Sequence, residues 1–505
     1  MASPSSAPSS PRRDSAHASA LPVPRADRVF GFGQHASLWF SLGVGLLVMQ
    51  VGSFLVPALS LRDALLAIVA GSALGAGLLA WVAAIGCREG LSSSALVGHT
   101  LGRRFAVLPV ALNVLQLLGW TAFELVVMRD GTAAIVRQLT GLDAAWVPIV
   151  ATLAWGGLLV ALAGGTMTGL VRRFVSRFGL PLVVVSLCWL SWQFWSRAQA
   201  QGFDALWSRP GDGSMSALSA LDLVIAMPVS WLPLVADYAR YGRAASSALR
   251  GTWLGYALAN IWCYALGVLV VSTSAPGAEL VATLLLAQGG LVALGLILID
   301  EVDNAYGDVH SGAVSVNFLR PRMTIRRVGM ALAALGTACA LVLPMHSLEP
   351  FMLLLSSIFV PLFGVVISQL APGLPPQRGL RWAPAALWLA GIVVFHAGAQ
   401  WWPAWGSALP SLALTLGLLT KAGDNYGLSP EAAMFLDHRS PACIASCAHF
   451  MTNPVMMEGM HSLTQAVRHG GTALSEEGSM EPEHPMWVEF AQGMMPMMFP
   501  RVICQ

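Results

Sequence analysis

Apolar residues run through this chain in about twelve windows of membrane-spanning length, near residues 37–60, 64–86, 105–128, 145–164, 175–195, 217–237, 252–273, 281–303, 326–344, 349–371, 382–400 and 405–420. A helix rises about 1.5 Å per residue and the hydrocarbon core of a bilayer is roughly 30 Å thick, so about twenty apolar residues suffice to cross it. The pattern predicts an all-α membrane protein of about twelve transmembrane helices. Polar and helix-breaking positions interrupt it at a few places. The sixth window, within LSALDLVIAMPVSWLPLVADYARYGR from Leu218 to Arg243, holds Pro228, Ser230, Trp231, Pro233 and Asp237, with Asp222 near its start. A helix that only walls off lipid gains nothing from these residues, because proline removes a ladder hydrogen bond and an acid is costly in hydrocarbon. A discontinuous helix is expected, freeing backbone groups to hold a small solute near the bilayer midplane. A proline-kinked wall helix is the plainer alternative, and Asp237 has the plainer role of pairing with Arg240 or Arg243.

Three further windows carry chemistry. The first contains Gly43, Gly45 and Gly52 with Gln50 and Ser53 beside them and Pro57 after; this suits either an unwound site or close helix packing. In the third, Trp120 and Glu124 stand four apart and share a helix face, an aromatic plane one turn from a carboxylate, which suits a flat heterocycle. The eighth ends in LILIDEVDNAYGDVHSGAVSV, with Asp300, Glu301, Asp303, Asn304, Asp308, His310 and Ser311. Positions 300, 303, 304, 308 and 311 fall on one stripe, which cannot face lipid. Carboxylates this close cannot all ionise, as proton coupling requires. Alternatively the span stops near Ile299 and the acids lie in a loop; it could equally extend toward Val316.

Composition narrows the class further. The 505 residues are 56% hydrophobic and 11% charged, with mean hydropathy +0.66, which excludes a soluble domain. With twelve spans, 19 arginines fall in the loops of one side and five in those of the other. This bias predicts that both termini are cytoplasmic, and the protein is expected in the cell inner (cytoplasmic) membrane. Residues 1–30, rich in Ser, Ala and Pro, are expected to be a disordered cytoplasmic tail with no signal peptide. Residues 31–420 are expected to form a twelve-span membrane domain and 421–505 a cytoplasmic tail. Of the seven cysteines, Cys87, Cys188, Cys263 and Cys339 are scattered through the spans, so no disulfide framework is implied. Cys443, Cys447 and His449 in the tail lack a second ligand pair, and no metal is assigned.

MPVSWLPLVADYAR (Met227 to Arg240), NVLQLLGWTAFE (Asn113 to Glu124) and DVHSGAVS (Asp308 to Ser315) together make the chain resemble the nucleobase:cation symporter-1 family, over roughly residues 30–420. Within it the hydroxymethylpyrimidine and purine–cytosine permease branch is the best match. The resemblance implies a LeuT-like fold of two inverted five-helix repeats plus two helices. The first and sixth helices are then broken, and the third and eighth complete the site. It implies that Trp120 stacks on the substrate ring and that Glu124 stands where the family has a polar residue reading the ring edge. Trp231 is a near match to the aromatic of the sixth helix. Sodium-coupled members use small Ser and Thr residues of the eighth helix with carbonyls of the first, whereas this chain has DEVDNAYGD there.

The expected function is import of a small planar nitrogen heterocycle, such as hydroxymethylpyrimidine, cytosine or a purine, by cation-coupled symport. The lipid bilayer is the other partner, and no nucleic acid or cofactor is involved. Expected substrate-binding residues are Gln50, Trp120, Glu124, Ser230, Trp231 and Asn304, and expected coupling residues are Asp303, Asp308 and Glu301. The coupling ion is H+ or Na+. From Leu428 to Pro500 the chain turns methionine-rich and is similar to the dimerisation segment of bacterial O-methyltransferase-like proteins, without the glycine-rich turn that binds the cofactor. A transporter-like sensor signalling through this tail is a second reading, and a methyltransferase remnant a third; no enzyme activity is expected.

Overall fold

The computed structural model describes residues 19–165, 180–275, 280–343, 348–374, 380–401 and 406–417, with the backbone of Leu419–Ala422 and Asn425–Leu428. Its helices are α1 (Phe32–Ser41), α2 (Leu46–Phe54), α3 (Leu61–Glu89), α4 (Ser93–Leu101), α5 (Val107–Thr140), α6 (Trp146–Ala163), α7 (Leu180–Ala200), α8 (Phe203–Trp207) and α9 (Ala217–Ser230). There follow α10 (Leu232–Ala239), α11 (Ala245–Ser272), α12 (Leu280–Leu285), α13 (Gly290–Leu319), α14 (Ile325–Val342), α15 (Leu348–Leu370), α16 (Trp382–Trp401) and α17 (Ala408–Thr415). Among the described residues, eight helices are long and apolar enough to cross a bilayer, and nine if the bent pair α1–α2 is one span. Every one of the twelve apolar windows contains a helix, but α17 has eight residues, about 12 Å, which does not cross a bilayer. The chain groups into two compact units, 1–412 and 413–505. In the second, Leu419–Ala422 and Asn425–Leu428 pair as an antiparallel ribbon. The methyltransferase-like segment, with Cys443, Cys447 and His449, lies outside the described residues.

The two interrupted spans differ. Between α1 and α2 the axis bends by 63°, and Gly45 at the start of α2 is fully extended (φ 178°, ψ 156°). Between α9 and α10 Trp231 keeps helical angles (φ −86°, ψ −12°), so the prolines kink this span without unwinding it. Of the two breaks that the resemblance implies, the first is sharp and the sixth is only a kink. Proline costs its own ladder bond, but neighbouring side chains can satisfy the freed groups. The carbonyls that lose a donor to Pro228 and Pro233 are those of Val224 and Val229, and the second of them accepts the Trp231 N–H. Gln116 Nε2 donates to the Ser230 carbonyl (3.4 Å) and Asn113 Nδ2 to the Pro233 carbonyl (3.3 Å), which ties the kink to α5.

Both spans are held in small-residue grooves. The glycine face of α3 packs on α9 and α10, and a Cβ on Gly75 would overlap Pro228. Likewise α11 packs on α1 and α2, where Gly267 lies against the Met49 carbonyl. On the other side α5, α6, α13 and α14 share an apolar core that includes Leu125, Leu159, Val302, Val309 and Ala333. Large apolar side chains stand exposed on α6, α7 and α16, among them Ile149, Trp192 and Val393, a surface that belongs in lipid.

α13 is continuous through the acids and reaches Leu319, so they belong to the span and not to a loop. Residues 19–30 also depart from the expected disordered tail: Ser19 is buried with Oγ donating to Asn317 Oδ1 (2.6 Å), and Phe30 N–H donates to the Tyr241 carbonyl (2.9 Å). Residues 1–18 lie outside the described structure. Asp222 and Asp237 act as caps. Asp222 Oδ2 accepts the N–H groups of Ser407 and Ala408 at the start of α17, and Asp237 Oδ1 accepts that of Ser93 at the start of α4 (3.0 Å), with Arg240 Nε on the Asp237 carbonyl.

Candidate functional site

A closed cavity lies where the α1–α2 break and the α9–α10 kink meet α5 and α13. Gly45 lines it from the break, Trp120 and Glu124 from α5, Ser230 and Trp231 from the kink, and Glu301, Asn304 and Asp308 from α13. The space open to the centre of a water molecule is about 20 Å³, hardly more than one water needs, so a ring enters only when side chains move. Of the nine site residues expected from sequence, seven line this cavity. Gln50 and Asp303 do not. Gln50 stands two residues beyond Val48, which faces the cavity, and so about 200° further round α2. Asp303 lies about 60° off the line of Asp300 on α13, on the opposite side from Asn304 and Asp308; it is only partly buried, whereas Asp300, Glu301, Asn304 and Asp308 are all buried.

The aromatic walls are built from several elements. Trp120 meets Phe351 of α15 edge-on (centroids 5.2 Å) and Phe123 one turn on (6.1 Å). Trp231 meets Trp39 edge-on (6.0 Å), and Trp39 is fully buried against Tyr256 and Tyr238 as well. Neither Phe351 nor Trp39 was marked by sequence, since an aromatic in an apolar span looks like packing.

The polar floor is a network between the helix break and α13. Glu301 Oε1 accepts the N–H of Leu46 (2.6 Å), the first residue of α2, and Oε2 accepts Asn304 Nδ2 (3.0 Å). Asn304 Nδ2 also donates to the Val44 carbonyl (3.2 Å), and Ser41 Oγ donates to Asp300 Oδ1 (3.0 Å). Leu46 N–H is one of the groups at a helix start that no carbonyl of the helix can reach, and a carboxylate there is favoured by hydrogen bonding and by the helix dipole. Gly45 makes room for it: a Cβ would lie 3.1 Å from Glu301 Oε1. The Glu124 carboxyl faces that of Glu301 at hydrogen-bonding range. Three buried atoms of lining residues have no partner within the protein: the acceptors Glu124 Oε2 and Asn304 Oδ1 and the donor Trp120 Nε1. Buried polar atoms left unpaired are costly, which makes them natural contacts for a ligand. Among the described residues no group of three or more His, Cys, Asp or Glu side chains converges on a metal position.

Residues 22–370 match the family of permeases for cytosine and purines, uracil, thiamine and allantoin. The cytosine permease of Escherichia coli K12 is 26% identical to the chain over 329 residues, 64% of this chain and 73% of that protein; that of Escherichia coli O157:H7 matches to the same extent. Among solved structures, Mhp1 in its inward-facing conformation superposes with a TM-score of 0.64 at 18% identity, covering 79% of this chain and 91% of its own. Mhp1 as a nucleobase-cation-symport-1 family transporter in a closed conformation with bromovinylhydantoin bound gives 0.64 at 17%, with 79% and 93% covered. A Na+-coupled sialic acid symporter gives 0.55 at 12%, with 80% and 90% covered. These likenesses carry the LeuT-like fold. The methyltransferase-like reading of the tail gains no support from any of these matches. The match spans well over half of the chain, which therefore belongs to the cytosine and purine permease family, as a multi-pass secondary transporter for nucleobase-like substrates and not an enzyme.

Proposed function

We propose that the protein imports a small planar nitrogen heterocycle with an amino-pyrimidine edge, cytosine or hydroxymethylpyrimidine foremost, across the cytoplasmic membrane by cation-coupled alternating access. The observation that carries this reading is the convergence of two indoles and two unpaired acceptors, Glu124 Oε2 and Asn304 Oδ1, in one closed cavity between the interrupted spans. A flat ring offers its faces to Trp120 and Trp231 and its N–H donors to the two acceptors, while Trp120 Nε1 can donate to a ring acceptor. A site built on acceptors penalises a ring that lacks the matching donors, because the buried oxygens then stay unpaired. Cytosine presents an amino donor beside a ring-nitrogen acceptor, which matches an acceptor beside the Trp120 N–H, whereas uracil presents the reverse edge, a carbonyl beside a ring N–H.

The arginine bias of the loops supports a cytoplasmic location of both termini. Counterflow of labelled cytosine, hydroxymethylpyrimidine, adenine and uracil in proteoliposomes of the full chain tests the reading. Exchange of the amino-pyrimidines well ahead of uracil is expected. Equal exchange of all four, or exchange of none, refutes it.

A further inference from the structure

Two carboxyls facing each other in a cavity with room for about one water need a proton or a cation between them, and the contacts of Glu301 bear on which carboxyl supplies it. Both oxygens of Glu301 already accept N–H donors, Oε1 from Leu46 and Oε2 from Asn304. Glu301 is thus held as an acceptor by two N–H donors, which stabilise its carboxylate form, while Glu124 has no such donors among the described residues and is the better carrier of the hydrogen between them. The carbonyl of Val44, a backbone oxygen freed by the break, is occupied by the Asn304 amide. The same cavity holds unpaired atoms from outside the acid pair, Trp120 Nε1 and Asn304 Oδ1, each on a side chain at least nine-tenths buried, so it is built to receive a ligand next to the pair.

We propose that Glu124 is the proton-loading residue of this transporter, its carboxylic acid proton bonded to Glu301 in the closed cavity and released when the cavity opens to the cytoplasm. The proposal rests on the reading of this cavity as the transport site. The proton comes from external water onto the Glu124 carboxylate and leaves to cytoplasmic water, with no other bond made or broken. Loaded, Glu124 bonds Glu301 and presents its second oxygen to the ring. Unloaded, two carboxylates face each other in a cavity with little water, and the closed state is disfavoured. Closure is thereby tied to the proton, and the tie reaches the break of the first span because Glu301 also holds Leu46. The other charged groups bearing on Glu124 are Asp300 and Asp308, both from α13. The lining residues of α1–α2 and α9–α10 carry no charge.

The test is infrared difference spectroscopy on the purified full chain, wild type against Glu124→Gln, at neutral pH in choline buffer. A carbonyl band of a protonated carboxyl is expected in the wild type and missing in Glu124→Gln. It should shift in Glu124→Asp, which keeps a carboxyl, and in Glu301→Gln, which changes its partner. Replacing choline by sodium should leave it in place. A spectrum unchanged by Glu124→Gln, or a band abolished by sodium, overturns the proposal, the second outcome by giving the site to sodium. Counterflow separates this from the transport reading. Exchange that proceeds while accumulation ignores a pH gradient refutes proton loading and leaves the transport reading standing. A Glu124 band in a protein that exchanges no heterocycle overturns the transport reading and the carrier role with it.

Discussion

Removing the Glu301 carboxylate should loosen the break of the first span, and the geometry sets the size of the effect. Glu301→Ala deletes the acceptor of the Leu46 N–H at 2.6 Å, a charge-assisted bond worth about 1.5–3 kcal/mol. It also deletes one of two acceptors of Asn304 Nδ2; because the Val44 carbonyl remains at 3.2 Å, that loss is about 0.5–1.5 kcal/mol. Relief of one buried charge opposes both, by an amount kept small by the donors and the Glu124 contact that compensate it. The net loss expected is about 2–4 kcal/mol. Glu301→Gln keeps a carbonyl that can face Leu46 and gives up the charge, for a loss of about 1 kcal/mol. Reversible unfolding of the two variants in detergent, titrated with SDS against the wild type, measures the difference. If alanine and glutamine agree within about 0.5 kcal/mol, the ordinary range of a substitution without structural consequence, the carboxylate does not hold the break and the linkage between α13 and α2 is wrong.

Three other outcomes follow from the same contacts. Trp120→Ala should weaken equilibrium binding of labelled cytosine roughly tenfold or more, since base–aromatic stacking is worth about 1–3 kcal/mol; unchanged affinity in a correctly folded variant removes Trp120 from the site. Gly267→Ala should fail to give a monodisperse protein on size-exclusion chromatography, because the added methyl would overlap the Met49 carbonyl where α11 crosses α2; normal yield and stability would show that the two backbones can part at little cost. Asp303→Asn should leave cytosine counterflow and its pH dependence close to wild type, as Asp303 lies outside the cavity lining; loss of pH dependence there, with Glu124→Gln still responsive, would move proton loading to Asp303.

What the sequence made legible was chemistry whose partners are close along one helix. Trp120 and Glu124 are one turn apart, and Asp300, Asn304, Asp308 and Ser311 follow helical spacing, so their common face was readable before any fold was known. The same rule is coarse at the edges of a stripe, which is why Asp303 was grouped with residues it does not accompany. The sixth window reads as more sharply broken than it is for a different reason. Two prolines announce a defect in the hydrogen-bond ladder, but Trp231 between α9 and α10 keeps helical angles and its N–H reaches back to the Pro228 and Val229 carbonyls. Gly43 and Gly45 announce nothing as strong, yet the chain bends by 63° between α1 and α2. Contacts across the fold were out of reach: Leu46 and Glu301 are separated by 255 residues, and nothing local to either marks the other.

The two interruptions bear on how the protein can move. The kink of α9–α10 is tied to side chains of α5 through the Ser230 and Pro233 carbonyls, and the break of α1–α2 to Glu301 and Asn304 of α13. Both of these helices belong to the apolar core that α5 and α13 share with α6 and α14. Any rocking of the interrupted spans against that core must therefore exchange hydrogen bonds at the cavity itself, and a buried polar group gives up a partner cheaply only when another takes its place. On the proposed reading of the site, a heterocycle with its own donors and acceptors beside Glu124, Asn304 and Trp120 would supply such replacements at the point where the bonds change. A ring bound to a rigid lining would only add affinity, but one that substitutes for the bonds between breaks and core lowers the cost of the transition as well.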